Sequence, residues 1–294
     1  MHLRSVELQM PDRAEAVAFL KEPWGMTEVG QVGATTFLRG TGAQHYAIAV
    51  NEGPTRALQS ATLVGTGAEV EAIYERVCKA GLKHSSWVKA FDEPGAGAGF
   101  HVAGPEGEPY RFIVETEPAP EALATDSTQP IRLAHVVFNT RDRDVAVRFL
   151  VDVFGFRLSD RTGYMSFVRC DDLHHVIAYA DAKQATLNHI AFEMKDTDAV
   201  LRGMGRLKDA GRATVWGPGR HGPGNNVFAY FVGPFGACIE YTAEIQRVDE
   251  GYVTGEPEFW TFPKGRTDQW GISSRDMQAL VDSSDTFPYR PVTQ

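Results

Sequence analysis

The chain has 294 residues, and its 43% hydrophobic and 23% charged residues are typical of a globular protein. A formal net charge of −9 argues against a nucleic-acid-binding surface, and three widely spaced cysteines exclude a disulfide framework and a thiolate zinc site. No apolar run approaches the ~20 residues needed to cross a bilayer, and the N-terminus lacks a signal-peptide pattern. We therefore expect a soluble, cytoplasmic protein that inserts into no membrane.

The same landmarks occur twice along the chain, in the same order. FLKEPWGM (19–26) is similar to FLVDVFGF (149–156), 130 residues further on. A Gly-Pro-x-Gly turn between two strand-like runs follows in each half, at 104–107 and at 233–236. This order and spacing predict an internal duplication, whose repeat unit reads strand, helix, then three strands.

The predicted elements are clearest in the second copy. An apolar β-prone run at 131–140 is followed by a helical pattern at 142–155, which ends in glycine. Short β-type runs fill 163–194, and a second helical pattern spans 197–211. A glycine-rich loop then leads into a predicted hairpin at 225–244.

The repeat also predicts the domain boundaries. Residues 1–117 form the first copy and residues 131–246 the second. The segment 118–130, rich in Pro, Ala, Thr and acidic residues, is a predicted linker. Residues 247–294 lie outside the repeat, but their many aromatic residues predict an ordered tail, because disordered segments are poor in aromatics.

Three polar residues interrupt apolar strands of the second copy and are replaced in the first: His135, His189 and Glu240. Their counterparts are Ser5, Ser60 and Arg111. Any one of the three alone is more simply explained as a hydrogen-bonded core residue or a solvent-facing one. Together, two imidazoles and one carboxylate are the ligand set of non-haem Fe(II) oxygen enzymes, and a divalent cation offsets the cost of burying the carboxylate. The set predicts a metal site.

Further polar residues of the second copy could act on a ligand of that metal. His174 and His175 stand near the start of a strand, His221 lies in the glycine-rich loop, and Tyr230 precedes the predicted carboxylate ligand by ten residues. Histidine titrates near neutral pH and can serve as acid or base. An exposed loop histidine is the alternative interpretation of His221.

The motifs LAHVVF, HHVIAYA, LNHIAFE, GPGRHG and CIEYT, with Tyr230 between the last two, resemble those of the type I extradiol ring-cleaving dioxygenases of the vicinal-oxygen-chelate superfamily. The resemblance extends over essentially the whole chain. It implies an α+β fold of two tandem modules, each a pair of βαβββ units whose mixed sheets curl into barrels. Only the C-terminal module of such enzymes normally holds metal, which agrees with the three replacements in the first copy.

The resemblance also implies residue roles. His135, His189 and Glu240 resemble ligands of Fe(II), or of Mn(II) in some members, and His175 resembles the acid–base residue. His221 and Tyr230 match residues that hydrogen-bond the bound catechol. Six residues are candidates for substrate binding: Val137, Phe167, His174, Trp216, Lys264 and Arg266. For Val137 and Phe167, ordinary core packing explains the sequence equally well.

The implied activity is cleavage of a catechol ring by O2, next to one of its hydroxyls, in the degradation of aromatic compounds by a homo-oligomer. Trp216 and the aromatic tail favour a hydrophobic, aryl- or alkyl-substituted catechol, whereas Lys264 and Arg266 could supply charge or be solvated. Two other functions stay open on the same fold. One is a glyoxalase-like metal-dependent isomerase or transferase, and the other is a non-enzymatic protein that sequesters a ligand.

Overall fold

The structure is a computed structural model that describes residues 1–95, 97–123 and 128–293. The strands of the first sheet are β1 (His2–Met10), β2 (Thr27–Val32), β3 (Thr35–Arg39), β4 (Ile48–Glu52), β5 (Ala57–Val64), β6 (Ala98–Ala103) and β7 (Pro109–Val114). Those of the second are β8 (Arg132–Thr140), β9 (Arg157–Arg161), β10 (Met165–Arg169), β11 (Ile177–Asp181), β12 (Leu187–Glu193), β13 (Trp216–Arg220), β14 (Val227–Val232), β15 (Cys238–Ala243) and β16 (Ser274–Arg275). The helices are α1 (Arg13–Lys21), α2 (Gly67–Lys79), α3 (Arg143–Phe149), α4 (Thr197–Asp209) and α5 (Met277–Ser284).

The seven strands of the first sheet match, in order, seven of the nine strands of the second, which has β13 and β16 in addition. The first runs β2-β3-β4-β1-β5-β7-β6, and the second runs β9-β10-β11-β8-β12-β15-β14-β13-β16. In each, an antiparallel central pair is flanked on both sides by parallel neighbours, so both sheets are mixed. This confirms the predicted α+β fold of tandem βαβββ units. Among the described strands each sheet keeps two edges, so neither closes into a fully hydrogen-bonded barrel.

The pairing register supports the alignment of the two copies residue by residue. Ala191 of β12 pairs with His135 on one side and with Glu240 on the other. The equivalent β5 residue pairs with Ser5 and Arg111. The positions compared in the sequence are therefore the same positions of the fold.

Side-chain caps mark the starts of three of the helices. Thr66 and Glu69 form a reciprocal capping box at the start of α2, and Asp142 and Asp196 cap α3 and α4 through their side chains. After α3 the chain continues as one π-helical turn to a left-handed glycine, Gly155, which ends the pattern predicted as a single helix. These residues thus mark where α2, α3 and α4 begin and where the helical segment after α3 ends.

One hydrophobic core spans both copies. Trp24, from the loop after α1, is fully buried and stacks on Tyr241 of β15 with ring centroids 3.8 Å apart. The tail packs on the second sheet, where Tyr289 donates its hydroxyl hydrogen to the backbone oxygens of Asn139 and Thr186, each at 2.8 Å. Within the described ranges, no helix has the length and apolar character needed to cross a membrane.

Candidate functional site

Three buried side chains from adjacent strands converge at the centre of the second sheet. His135 lies on β8, His189 on β12 and Glu240 on β15, and one ligand atom of each lies within 4.8 Å of the others. Glu240 Oε2 is 3.1 Å from His135 Nε2 and 3.2 Å from His189 Nε2. The convergence follows from the strand order, because β12 separates β8 from β15 and the three positions share one level of the sheet.

This donor set fits a divalent metal ion. The imidazole of His189 donates from Nδ1 to Asn188 Oδ1 at 2.7 Å, which leaves a lone pair on Nε2. That Nε2 and Glu240 Oε1 are buried with no hydrogen-bond partner among the described residues, which is costly unless a cation binds there. Ligands about 2.1 Å from one ion lie roughly 3 Å apart when adjacent, close to the observed separations.

The electrostatics of Glu240 and His189 favour the protonation states that bind a metal. Burial alone would raise the pKa of the Glu240 carboxyl, but the imidazoles of His135 and His189 outweigh burial and lower that pKa below its ordinary value. Burial lowers the pKa of His189 despite the opposing charge of Glu240. An ionised carboxylate beside neutral imidazoles is the state in which these groups bind a metal.

The two histidines of the set line a cavity of about 330 Å³. Six of the other predicted site residues line the same cavity: Val137, Phe167, His175, Trp216, His221 and Tyr230. The tail contributes a largely apolar part of the wall: Trp260, Phe262, Met277, Leu280 and Val281. A mostly apolar cavity with a few convergent polar groups is the usual form of a small-molecule site.

Two of the polar wall residues are hydrogen-bonded to each other. His221 Nε2 and the Tyr230 hydroxyl are 3.0 Å apart, and Trp216 stacks on the Tyr230 ring at 4.9 Å. Burial lowers the pKa of His221 to about 4, and burial together with Glu240 raises the pKa of Tyr230 well above its usual value. Both groups are therefore neutral at neutral pH, and each retains hydrogen-bonding capacity for a ligand.

His175 lies beside the ligand set, with its ring centroid 4.6 Å from that of His135. Burial, followed by the neighbouring imidazoles, lowers the pKa of His175 well below its ordinary value. Its neighbour His174 is fully buried, and its Nε2 lies 2.7 Å from Asp160 Oδ2. The structure thus brings His175 to the cavity wall and places His174 behind it.

The tail cations chosen from the sequence do not reach the cavity. Lys264 and Arg266 are exposed and lie outside its lining. The cation that lines it is Arg275 of β16, whose guanidinium carbon lies 3.7 Å from the Trp216 ring centroid. Its buried Nε has no hydrogen-bond partner among the described residues. No sequence signal marked Arg275, because its position depends on the pairing of β16 with β13.

The glycine-rich stretch predicted as a loop forms the strand β13, and His221 follows directly after it. Gly217 has a φ of 119°, and a Cβ there would lie 2.9 Å from the Phe228 carbonyl oxygen. Glycine at this position therefore lets the chain approach β14 closely, and the neighbouring Trp216 side chain lines the cavity.

Comparisons with known proteins agree with this architecture. The family model of the Glyoxalase/Bleomycin resistance protein/Dioxygenase superfamily matches residues 132–241. The Mn(II)-bound glyoxalase from Novosphingobium aromaticivorans superposes with a TM-score of 0.86 and is 30% identical, over 99% of this chain and 95% of that one. The chain belongs to this superfamily. The membership confirms the superfamily expected from the motifs.

Two curated relatives in the superfamily bear on the site. Metapyrocatechase 2 of Cupriavidus necator is 32% identical over 133 residues, which cover 44% of this chain and 42% of the relative. The manganese-dependent 2,3-dihydroxybiphenyl 1,2-dioxygenase of Geobacillus genomosp. 3 is 25% identical over 255 residues, 78% of this chain and 80% of the relative. The chain spans about half the length of the first curated relatives that it matches.

Proposed function

We propose that this protein is an extradiol dioxygenase, which uses O2 to cleave a catecholic ring next to one of its hydroxyls. His135, His189 and Glu240 would hold Fe(II), or Mn(II), as the metal. One observation carries the proposal: in a buried set of two imidazoles and one carboxylate, the two imidazoles line a cavity together with three groups that can donate or accept protons, His175, His221 and Tyr230. The names of the two curated relatives support the reaction, and the second of them names manganese as its metal.

The roles of the chain's own residues follow from their contacts. Bound metal would supply Lewis acidity and a redox-active centre for the reaction of catechol with O2. His221 and Tyr230, already 3.0 Å apart, present hydrogen-bonding groups that would orient the ring oxygens. His175 is neutral at neutral pH, because burial depresses its pKa, and it can take up a hydroxyl proton and later return it. The apolar wall would keep water from the reacting atoms.

We propose that the substrate is a catechol with an alkyl or aryl substituent. The tail residues Met277, Leu280 and Val281 give the substituent an apolar wall, and Trp260 and Phe262 add aromatic surface. Arg275 is a polar exception in that wall. It would accommodate a substituent with an anionic or hydrogen-bond-accepting end.

A glyoxalase-like metal-dependent isomerase or transferase is the second candidate. It is favoured by the full-length likeness to the Mn(II)-bound glyoxalase at 30% identity. Such an enzyme consumes no O2, so bound metal would not separate the two functions but oxygen uptake would. A non-enzymatic ligand-sequestering protein would turn over neither kind of substrate.

The experiment is oxygen uptake by anaerobically purified protein loaded with Fe(II), given a panel of alkyl-, aryl- and carboxy-substituted catechols. Visible absorbance is recorded in parallel. We expect one O2 consumed per catechol together with a yellow ring-fission product. Full metal loading with no uptake on any catechol would contradict the proposal and favour the isomerase or transferase.

We also propose a separate role for each segment of the chain. Residues 131–246 would form the catalytic domain and residues 1–117 a domain without metal ligands, joined by the linker 118–130. Residues 124–127 of that linker lie outside the described residues. The tail 247–294 would close the cavity, and the protein would work as a homo-oligomer in the cytoplasm. Light scattering coupled to size-exclusion chromatography would test the oligomer.

A further inference from the structure

A buried carboxylate outside the metal site contacts His174, the chain neighbour of the proposed acid–base histidine His175. Asp160 of β9 is fully buried. Its Oδ1 accepts a hydrogen bond from the Gly255 backbone N–H at 2.6 Å, and the Tyr252 hydroxyl donates to its Oδ2 at 3.1 Å. His174 Nε2 lies 2.7 Å from the same Oδ2. Because the surrounding groups are all donors, Asp160 fits as an ionised acceptor, and His174 donates to it from Nε2.

The hydrogen bonds then determine which nitrogens carry protons. A neutral imidazole carries one N–H, so a His174 ring protonated at Nε2 has a lone pair on Nδ1. His174 Nδ1 lies 3.0 Å from His175 Nδ1, and this contact is a hydrogen bond only if His175 donates from Nδ1. The neutral ring of His175 is then left with a lone pair on Nε2. The contacts that begin at Asp160 therefore select one of the two tautomers of His175.

We propose that Asp160 and His174 are positioning residues, which hold His175 in the tautomer whose Nε2 accepts the proton of a substrate hydroxyl. The substrate part of this inference rests on the proposed function. The tautomer part rests on the contacts alone.

Comparison with the first copy indicates that the fold itself does not require the hydrogen bonds that link Asp160, His174 and His175. Asp160 pairs with Phe167, and the matching pair in the first sheet is Gly30 with Phe37. The residues that match His174 and His175 in the repeat are His45 and Tyr46. The first copy therefore keeps a histidine but lacks both the carboxylate and the acid–base histidine. The carboxylate occurs only in the copy that has the metal-binding residues.

The tail helps to hold the carboxylate. Tyr252 and Gly255, which both donate to Asp160, belong to the segment after the repeat, and Gly255 also forms a parallel β-bridge with Asp160. The tail therefore contributes both to the cavity wall and to the hydrogen bonds that begin at Asp160. Docking of the tail is in this way linked to the tautomer of His175.

The first test reads the tautomers directly, from ring ¹⁵N chemical shifts of histidine-labelled protein that holds diamagnetic Zn(II). The wild type should show His175 protonated at Nδ1 and His174 at Nε2. Asp160→Asn should shift both rings toward a mixture of tautomers, and Asp160→Glu should restore the wild-type pattern in part. Asp196→Asn, the same chemical change at the cap of α4, is the matched control and should change neither ring. An unchanged His175 tautomer in Asp160→Asn would overturn the proposal.

The second test is steady-state kinetics on the best catechol. Asp160→Asn and His174→Phe should lower kcat by roughly 100-fold, with KM within a few-fold of the wild type and full metal content. A purely structural role would instead reduce metal content and stability, without rescue by Asp160→Glu. If Asp160→Asn does not fold, Tyr252→Phe replaces it and should give a smaller change in the same direction in both tests; no change in either would overturn the proposal. If the wild type oxidises no catechol, the tautomer test still decides the positioning role.

Discussion

The two copies bury opposite charges at the same position of the same strand framework. Where the second copy holds Glu240 between two imidazoles, the first holds the guanidinium of Arg111. That guanidinium hydrogen-bonds Glu93 and the Tyr46 hydroxyl, each at 2.8 Å, and pairs with Glu7. Burial opposes its charge, but the nearby Glu7, Tyr46 and Glu93 outweigh burial and raise the pKa of Arg111 above its ordinary value.

The difference teaches what the fold requires at this position and what it does not. The first copy supplies its own cation and surrounds it with carboxylates. The second supplies a carboxylate that faces two imidazoles, and a bound cation would balance its charge. Either sign of charge can be buried here if it is paired. The metal site is therefore an addition of three side chains to a framework that is complete without them.

The largest expected effect comes from making one metal-site position resemble the first copy. His189→Ser should abolish metal binding and turnover, because one of three ligands is lost and the Glu240 carboxylate keeps only one imidazole partner. Inductively coupled plasma mass spectrometry measures the metal content, and oxygen uptake measures turnover. Ser60→Ala, at the matching position of the first copy, is the control and should leave both unchanged. Full metal occupancy in His189→Ser would contradict the assigned ligand set.

The next largest effect is on kcat, with no loss of bound metal. His175→Phe should keep the metal but lower kcat by about 10²–10⁴-fold, because it removes the proposed acid–base group and replaces none of the three proposed metal ligands. Steady-state kinetics and metal analysis together check this. The matching first-copy variant Tyr46→Phe removes a hydroxyl from the ion-pair cluster and should alter stability but not kcat. A wild-type rate in His175→Phe would refute its role.

In the first copy the expected effect is on stability. Arg111→Met should lower the free energy of unfolding by about 3–5 kcal/mol at neutral pH, because Glu7 loses its arginine partner and the buried Glu93 keeps only Arg4. Burial alone would raise the pKa of Glu93, but Arg111 and Arg4 outweigh it and lower that pKa. A lowered folded-state pKa contributes stability above the unfolded value of roughly 4.3, and this contribution is lost as pH falls through the folded pKa.

The destabilisation by Arg111→Met should therefore be largest at neutral pH and shrink as pH falls below about 4. Urea unfolding of wild type and variant at several pH values measures it. Arg202→Met removes an exposed arginine with a surface ion pair and serves as the matched control. A difference between wild type and Arg111→Met that does not depend on pH would contradict the charge-pairing account of the first copy.

The smallest expected effect concerns the tail, which has no counterpart in the first copy. Arg275→Met should raise KM for catechols with an anionic substituent by about tenfold, the size of a lost hydrogen bond to a charged group. KM for neutral alkylcatechols should change less than about twofold. Parallel kinetics on the two substrate classes measure the difference, and Arg266→Met is the exposed control. Equal losses on both classes would mean that Arg275 acts only by stacking on Trp216.

The duplication is what made the convergence of three polar side chains predictable from the sequence. Comparing His135, His189 and Glu240 with their counterparts needed only alignment of two halves of one chain, and the strand register supports that alignment. His175, His221 and Tyr230 were selected from motif order, and the structure places them at one cavity.

What the sequence left undetermined depends on contacts between distant segments. Arg275 reaches the cavity through pairing of β16 with β13, and Asp160 acquires its role through packing against His174 and the tail. Lys264 and Arg266 were chosen because they are cations in the right segment, but local sequence does not determine which face of a tail is exposed. Glycines at 217–222 suggested a loop, whereas pairing with two neighbours makes part of that stretch a strand.

The measurement that tests the central claim most directly is ¹⁸O2 labelling of the product. Fe(II)-loaded protein is given its best catechol under ¹⁸O2, and the ring-fission product is analysed by mass spectrometry. The account predicts that both oxygen atoms of one O2 molecule enter a single ring-opened product, and that His189→Ser forms none. A catechol recovered intact or oxidised to a quinone without label, by protein with full metal content, would contradict it.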